Sequence, residues 1–204
     1  MAAEPDPPTT IREPAAVLEQ HVADSLAGLG VPALAEALTL ADVGAGTGFP
    51  GLALAIARPG MRVDLIEAAG RKCEVIERLA AAGGATNARA VPARAEAWGA
   101  GEGAGAYDAV AVRAVAPLAV LCEYAAPLLQ PGGALVAWKG ARDAREEAAG
   151  ASAAAALGLR PLEVRAVEPF PGAHSRHLHV FAKVDATPPR FPRRVGVAAK
   201  RPLG

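Results

Sequence analysis

Aromatic side chains are scarce in this sequence. They make up 4% of its 204 residues, while 52% are hydrophobic. Ala, Val and Leu must therefore fill the core, and the length suffices for one domain with a substantial core. Charge of one sign is also missing: 21 Lys and Arg balance 21 Asp and Glu, for a net charge of +0. No global field steers the chain toward a polyanion, so any nucleic-acid contact must rest on a local patch. Cysteine is nearly absent. Cys73 and Cys122 lie far apart, without Cys-x-x-Cys or His spacing. That pattern suggests neither a zinc site nor a disulfide framework. Both fall in helical patterns and read as small buried apolar residues. No run of about 18 apolar residues occurs, and no charged-then-apolar leader opens the chain. The expectation is a cytoplasmic protein with no membrane association, no metal and a monomeric state.

What is present is a glycine-rich loop in a telling context. Asp42-Val43-Gly44-Ala45-Gly46-Thr47-Gly48-Phe49-Pro50-Gly51 follows the apolar stretch Leu38 to Val43 and leads into Leu52 to Ala57. This reads as a strand, a tight turn and a helix start. Glycines at 44, 46 and 48 allow positive φ and let a ligand approach the main chain. The first amides of the helix then face that ligand. Gly46 to Gly51 fits G-x-G-x-x-G, the dinucleotide fingerprint. The longer frame from Asp42 fits the Asp-x-Gly-x-Gly-x-Gly loop of S-adenosylmethionine-dependent methyltransferases. Glu67, 21 positions after Gly46, closes a second apolar run and is placed to accept from ribose hydroxyls. That acid serves either cofactor.

The remaining pattern alternates. A helix is expected over 12–29, strands over 38–43, 61–66 and 88–91, and helices over 50–58 and 71–82. Residues 99–105 read as a glycine-rich loop. A strand over 108–112 and a helix over 117–129 follow. Pro131-Gly132-Gly133 reads as a turn into a strand over 134–138. An Ala-rich helix covers 142–157. Two last strands, 162–167 and 178–184, are too close for a crossover helix and should pair antiparallel. The sum is an α/β fold, a doubly wound, Rossmann-like, seven-stranded and mostly parallel sheet with an antiparallel end and helices on both faces. Residues 1–11, with Pro5, Pro7 and Pro8, read as a disordered N-terminus, and 12–185 as the folded domain.

Residues 186–204 form a basic, proline-rich tail. From Thr187 to Gly204 there is no acid, while Arg190, Arg193, Arg194, Lys200 and Arg201 are interspersed with prolines. The tail is either a solvated terminus or an arm for RNA phosphates.

Three features favour S-adenosylmethionine over a nicotinamide. Asp42, at a strand tip, can hold an amino or ammonium group. The antiparallel sheet end resembles the class I methyltransferase fold. Arg94-Ala95-Glu96, after the third strand, offers a backbone N–H and a carboxylate to the adenine edge.

Several segments together resemble the bacterial small-subunit ribosomal RNA methyltransferase G family, also called the glucose-inhibited division protein B family. They are His21-Val22-Ala23-Asp24-Ser25-Leu26, the loop with its Gly-Phe-Pro-Gly ending, Arg71-Lys72, Arg94-Ala95-Glu96, Val112-Arg113-Ala114, Lys139-Gly140 and Arg176-His177-Leu178. The tail, with Pro192-Arg193-Arg194-Val195-Gly196, is similar to the ending of many members. Gln20 stands where many members have Arg, and members usually carry a longer helical segment before this point. The resemblance implies methylation of guanine N7 in 16S ribosomal RNA, free or in a small-subunit assembly particle. It implies cofactor contacts at Gly44, Phe49, Ala95 and Glu96, and Arg113 beside the methyl-transfer centre. Gly46, Gly48 and Glu67 complete the expected cofactor set.

Guanine N7 carries a free lone pair, so no general base is required, and Arg113 is expected to orient cofactor or base. Lys139, Arg190, Arg193, Arg194, Lys200 and Arg201 are the candidate RNA contacts. His21 and Asp24 lie on one helical face and either close over the cleft or cap a packed helix. His174, His177 and His179 read as structural. The competing readings are a methyltransferase of another substrate and a non-catalytic cofactor-binding or RNA-binding module.

Overall fold

The computed structural model describes Ile11 and residues 13–204. The disordered segment expected over 1–11 lies outside the described residues except for Ile11. The chain enters through a continuous helical stretch of changing pitch. α1 (Pro14–Val17) starts with Pro14 and is capped by Glu13, whose carboxylate accepts from the Ala16 N–H at 2.8 Å. A wide π-type turn, Leu18–Ala23, leads into α2 (Asp24–Leu26), and a 3-10 turn, Ala27–Gly30, leads to α3 (Pro32–Ala35).

The alternating pattern then unfolds as expected: β1 (Thr39–Val43), α4 (Gly51–Ala57), β2 (Arg62–Ile66), α5 (Gly70–Gly83), β3 (Ala88–Val91) and α6 (Ala95–Gly99). It continues with β4 (Tyr107–Arg113), α7 (Leu118–Ala125), β5 (Leu129–Lys139), α8 (Ala144–Ala156), β6 (Leu159–Val167), β7 (Arg176–Lys183) and α9 (Val197–Lys200). The seven strands form one sheet in the order β3-β2-β1-β4-β5-β7-β6. β7 is antiparallel to both β5 and β6, and the other pairings are parallel.

Small side chains let helices sit close on both faces. Along β5, Leu135 and Ala137 join the core under α7 and α8, while Ala134, Val136 and Trp138 join the core under α3, α4 and α5. That alternation is what a sheet covered on both faces demands. On α5 the buried Cys73, Ile76 and Ala80 make one apolar stripe.

Two local readings need correction. Pro131-Gly132-Gly133 is not a turn before β5 but a bulge within it, since pairing with β4 jumps from Tyr107↔Leu129 to Ala109↔Ala134. Pro131 has no N–H for a ladder, so the extra residues loop out. The short helix α6 was also not foreseen. Trp98 stabilises it from its last turn, its indole N–H donating to the Tyr107 hydroxyl at 2.8 Å.

The tail folds back onto α7. Phe191 and Ala198 are buried, Leu203 packs on the same core, and Thr187 donates to the Ala126 carbonyl at 3.0 Å. Neither a free arm nor a solvated terminus describes it: its apolar residues anchor it to the domain.

Candidate active site

The sheet reverses its winding between β1 and β4. The chain leaves β1 for α4 on one face and leaves β4 for α7 on the other, which opens a crevice at the carboxyl ends of these adjacent strands. The glycine loop lies in that crevice. Gly44, Gly46 and Gly48 have φ of +69°, +58° and +93°. Their reasons differ. A Cβ on Gly44 would lie 2.7 Å from Val115 Cγ2, so the residue is bare for space as well as angle. A Cβ on Gly46 would meet nothing nearer than the Gly44 carbonyl at 3.7 Å, so only backbone angle demands glycine there. A Cβ on Gly48 would lie 2.5 Å from Leu52 Cδ1, which makes Gly48 an inward packing position.

Two carboxylates hold the loop from below. Asp42 is 1% exposed and its Oδ2 accepts from the Gly51 N–H at 2.7 Å. Burial pushes its carboxyl up to about 7, against the lowering effect of that hydrogen bond. The expectation that Asp42 holds an amino or ammonium group is therefore corrected: it caps the start of α4 from inside the core. Glu67 accepts from the Gly46 N–H at 3.1 Å and the Ala69 N–H at 2.9 Å, and still lines the cleft.

The cleft has two arms that share Gly44, Lys72 and Ala114. One, of about 290 Å³, runs past Glu67, Ala95, Glu96 and Tyr124. The other, of about 400 Å³, opens over the loop between His21, Gly46, Phe49, Arg113 and Arg176. A recess of about 150 Å³ beyond it reaches Trp138, Lys139 and His177. Ala114, at the tip of β4, adopts φ of +55° and lines all three. A strained non-glycine backbone at such a junction is a recurrent mark of functional sites.

Arg113 ties the entry helices to the crevice. Its Nη1 lies 3.0 Å from Asp24 Oδ2 and within 3.4 Å of the Ser25 hydroxyl and the His21 carbonyl. Its Nη2 lies 3.2 Å from His21 Nδ1. The guanidinium also sits 5.8 Å from the centre of the Phe49 ring, on which His21 stacks at 5.1 Å. Burial, followed by the nearby Arg113 charge, lowers the His21 pKa, which favours the neutral ring. Trp138 fixes the backbone beneath, donating to the Asp24 carbonyl at 2.8 Å. His21 and Asp24 thus form a wall of the cleft.

The expected RNA contacts divide into two groups. Lys139 pairs with Glu146 at 2.6 Å, and Arg193 grips the buried Glu123, with Nε 2.7 Å from Oε1. Arg190, Arg194, Lys200 and Arg201 are exposed. Glu96 is 5% exposed, and its Oε1 accepts from the Gly196 N–H at 2.8 Å.

Lys72, Tyr124 and Arg176 line the cleft and were not singled out as site residues from sequence. The pairing Lys139↔His177 places the start of β7 at the carboxyl edge of the sheet, and with it Arg176. The antiparallel direction of β7 signalled this, beside the Arg176-His177-Leu178 segment of the family resemblance. Among the described residues no group of three His, Cys, Asp or Glu is placed to hold a metal ion, and His177 Nδ1 lies 2.9 Å from the Gly140 carbonyl.

Comparison with known proteins agrees with this geometry. A family model described as rRNA small subunit methyltransferase G matches residues 9–178. A ribosomal RNA small subunit methyltransferase G of Rubrobacter xylanophilus is 44% identical over 94% of this chain and 75% of its own length. That of Chloroflexus aggregans is 41% identical over 96% and 82%. Among solved structures, a 16S rRNA (adenine(1408)-N(1))-methyltransferase of Catenulisporales acidiphilia, with its cosubstrate SAM, superposes with a TM-score of 0.59 over 79% of this chain and 92% of its own. At 24% identity this likeness shows the fold, that of the class I methyltransferases. The family match spans most of the chain and the sheet order matches the fold, so this chain belongs to the rRNA small subunit methyltransferase G family and is an S-adenosylmethionine-dependent enzyme.

Proposed function

We propose that this protein methylates N7 of one guanine in 16S ribosomal RNA, acting as a monomer in the cytoplasm on free RNA or a small-subunit assembly particle. The observation that carries the reading is the two-armed cleft meeting at Gly44. Its inner arm carries Glu67 and Glu96 beside Lys72 and Arg94, and its outer arm adds Arg113 and Arg176.

The inner arm suits S-adenosylmethionine. Gly44 leaves its backbone bare at the junction, and Glu67, which lines this arm, would accept from ribose hydroxyls. Ala95 and Glu96 line the same arm and would meet the adenine edge, since adenine offers a 6-amino donor to a carboxylate. Gly46 and Phe49 border the outer arm; Gly48 supports the turn from beneath. When bound, the cofactor supplies a sulfonium methyl group.

A neutral guanine has a free lone pair at N7, so no residue needs to take a proton before transfer. The protein's task is alignment and exclusion of water. Arg113, anchored by Asp24, is an orienting group rather than an acid or base. The narrow major groove of A-form RNA hides N7, so the base must be unpaired or extruded to reach the outer arm. Arg190, Arg194, Lys200 and Arg201 remain the tail candidates for phosphate. Lys139 and Arg193 are weaker candidates, since each already has a carboxylate partner.

The test uses purified protein, methyl-labelled cofactor and ribosomal RNA from cells lacking this gene. Label recovered in 7-methylguanine supports the proposal. Label in another position, or none, overturns it.

A further inference from the structure

We infer that the C-terminal tail positions Glu96 for the adenine of the cofactor, acting through Gly196 and Arg193. The inference rests on the reading of Glu96 as an adenine contact. Glu96 stands in the first turn of α6, nearly buried, on the wall of the inner arm. Its Oε1 is held by the Gly196 N–H, 100 positions along the chain. A carboxylate presents lone pairs on two oxygens, so fixing one oxygen sets where the other points.

Gly196 is itself held in place. Three residues earlier, Arg193 takes both oxygens of Glu123 in a fork, and its Nη2 donates to the Arg201 carbonyl at 2.9 Å. The segment from 193 to 201 is thereby closed into a compact loop with Gly196 at its centre. Glu123 is fully buried on α7, and the next residue, Tyr124, lines the same arm of the cleft as Glu96. Phe191 and Ala198 anchor the loop on either side. The tail therefore reaches two walls of the inner arm: α6 through Gly196 and α7 through Arg193. Arg193 reads as a phosphate ligand in the sequence, yet its charge is matched by a buried carboxylate.

The experiment measures dissociation constants for S-adenosylhomocysteine and S-inosylhomocysteine, which lacks the 6-amino donor. Salt dependence of RNA binding is measured in parallel. Arg193→Ala with Glu123→Gln removes both charges together, so no buried charge is left unpaired. Gly196→Ala is the second variant and keeps the test alive if the first does not fold. Its added Cβ meets nothing within 4 Å, but its φ of +80° disfavours Ala and so moves the N–H. Glu96→Ala sets the reference for lost discrimination.

Both tail variants should weaken S-adenosylhomocysteine by roughly 10-fold or more, the low end of the scale for one hydrogen bond to a charged group. S-inosylhomocysteine should change by less than about 2-fold, and RNA affinity with its salt slope should hold. Equal weakening of both ligands, or of neither, while Glu96→Ala still loses discrimination, overturns the tail inference alone. Full discrimination in Glu96→Ala overturns the reading of Glu96 and the inference with it. A lower RNA salt slope with intact discrimination assigns the tail to RNA and overturns the inference.

Discussion

Arg113 Nη1 lies 3.0 Å from Asp24 Oδ2, joining the tip of β4 to the entry helices across 89 positions of chain. Asp24 is 3% exposed, so removing the arginine strands a buried carboxylate. Arg113→Ala should cost about 3 kcal/mol in denaturant unfolding, near the low end for a broken buried pair because the guanidinium keeps some solvent. Arg113→Lys should recover little, since a point ammonium cannot reach Asp24, Ser25 and His21 together. Unchanged unfolding midpoints in both variants would remove Arg113 as the anchor of this wall.

Gly44→Ala should abolish measurable cofactor binding in calorimetry. The clash with Val115 and the φ of +69° act together. Adding Val115→Ala relieves only the clash, so affinity should return in part, with about 1 to 2 kcal/mol still missing for the left-handed backbone. Full recovery would mean that backbone angle contributes nothing.

Asp42 makes stability depend on pH in a definite direction. Its folded pKa, about 7, lies above the ordinary aspartate value of 3.8, so the folded state holds the proton more tightly. The associated stability is complete below about pH 4 and is lost as pH rises through 7. Asp42→Asn keeps an acceptor for the Gly51 N–H and removes the titration. The variant should gain on the parent by roughly 1 to 3 kcal/mol between pH 5 and pH 7 in denaturant melts. A constant difference across that range would place the titration elsewhere.

Of the tail residues, the exposed cations should carry the salt dependence of RNA binding. Changing Arg190, Arg194, Lys200 and Arg201 together to Gln should lower the slope of log K against log salt by about 1 or more. Lys139→Gln should leave it unchanged, because Glu146 already neutralises that ammonium. An unchanged slope in the fourfold variant would move the RNA surface to Lys72 and Arg176 at the cleft.

Much of the sheet was legible because strands buried on both faces and amphipathic helices write their periods into the chain. β3 falls at 88–91 as read, and β1, β2 and β4 fall within a residue or two of expectation. α6 was not legible, because its stability comes from the indole of Trp98 reaching Tyr107 in another element. Glu67 was placed at the cleft by its spacing from Gly46, but spacing said nothing of the two loop amides that also occupy it. Asp42 was misread for a similar reason: a residue at a strand end can point into the cleft or into the core, and local pattern does not choose.

The sequence by itself determined the alternation of strands and helices, the glycine loop and the family, since each is written in local spacing and residue type. Only the tertiary structure decided which charges are free. Arg113 meets Asp24, Lys139 meets Glu146, Arg193 meets Glu123, and Glu96 meets the tail at Gly196. Three of these four pairs join residues far apart in sequence, and even Lys139 and Glu146 lie on different elements. A buried charge must find a partner wherever the fold brings one, and no local pattern records where that is.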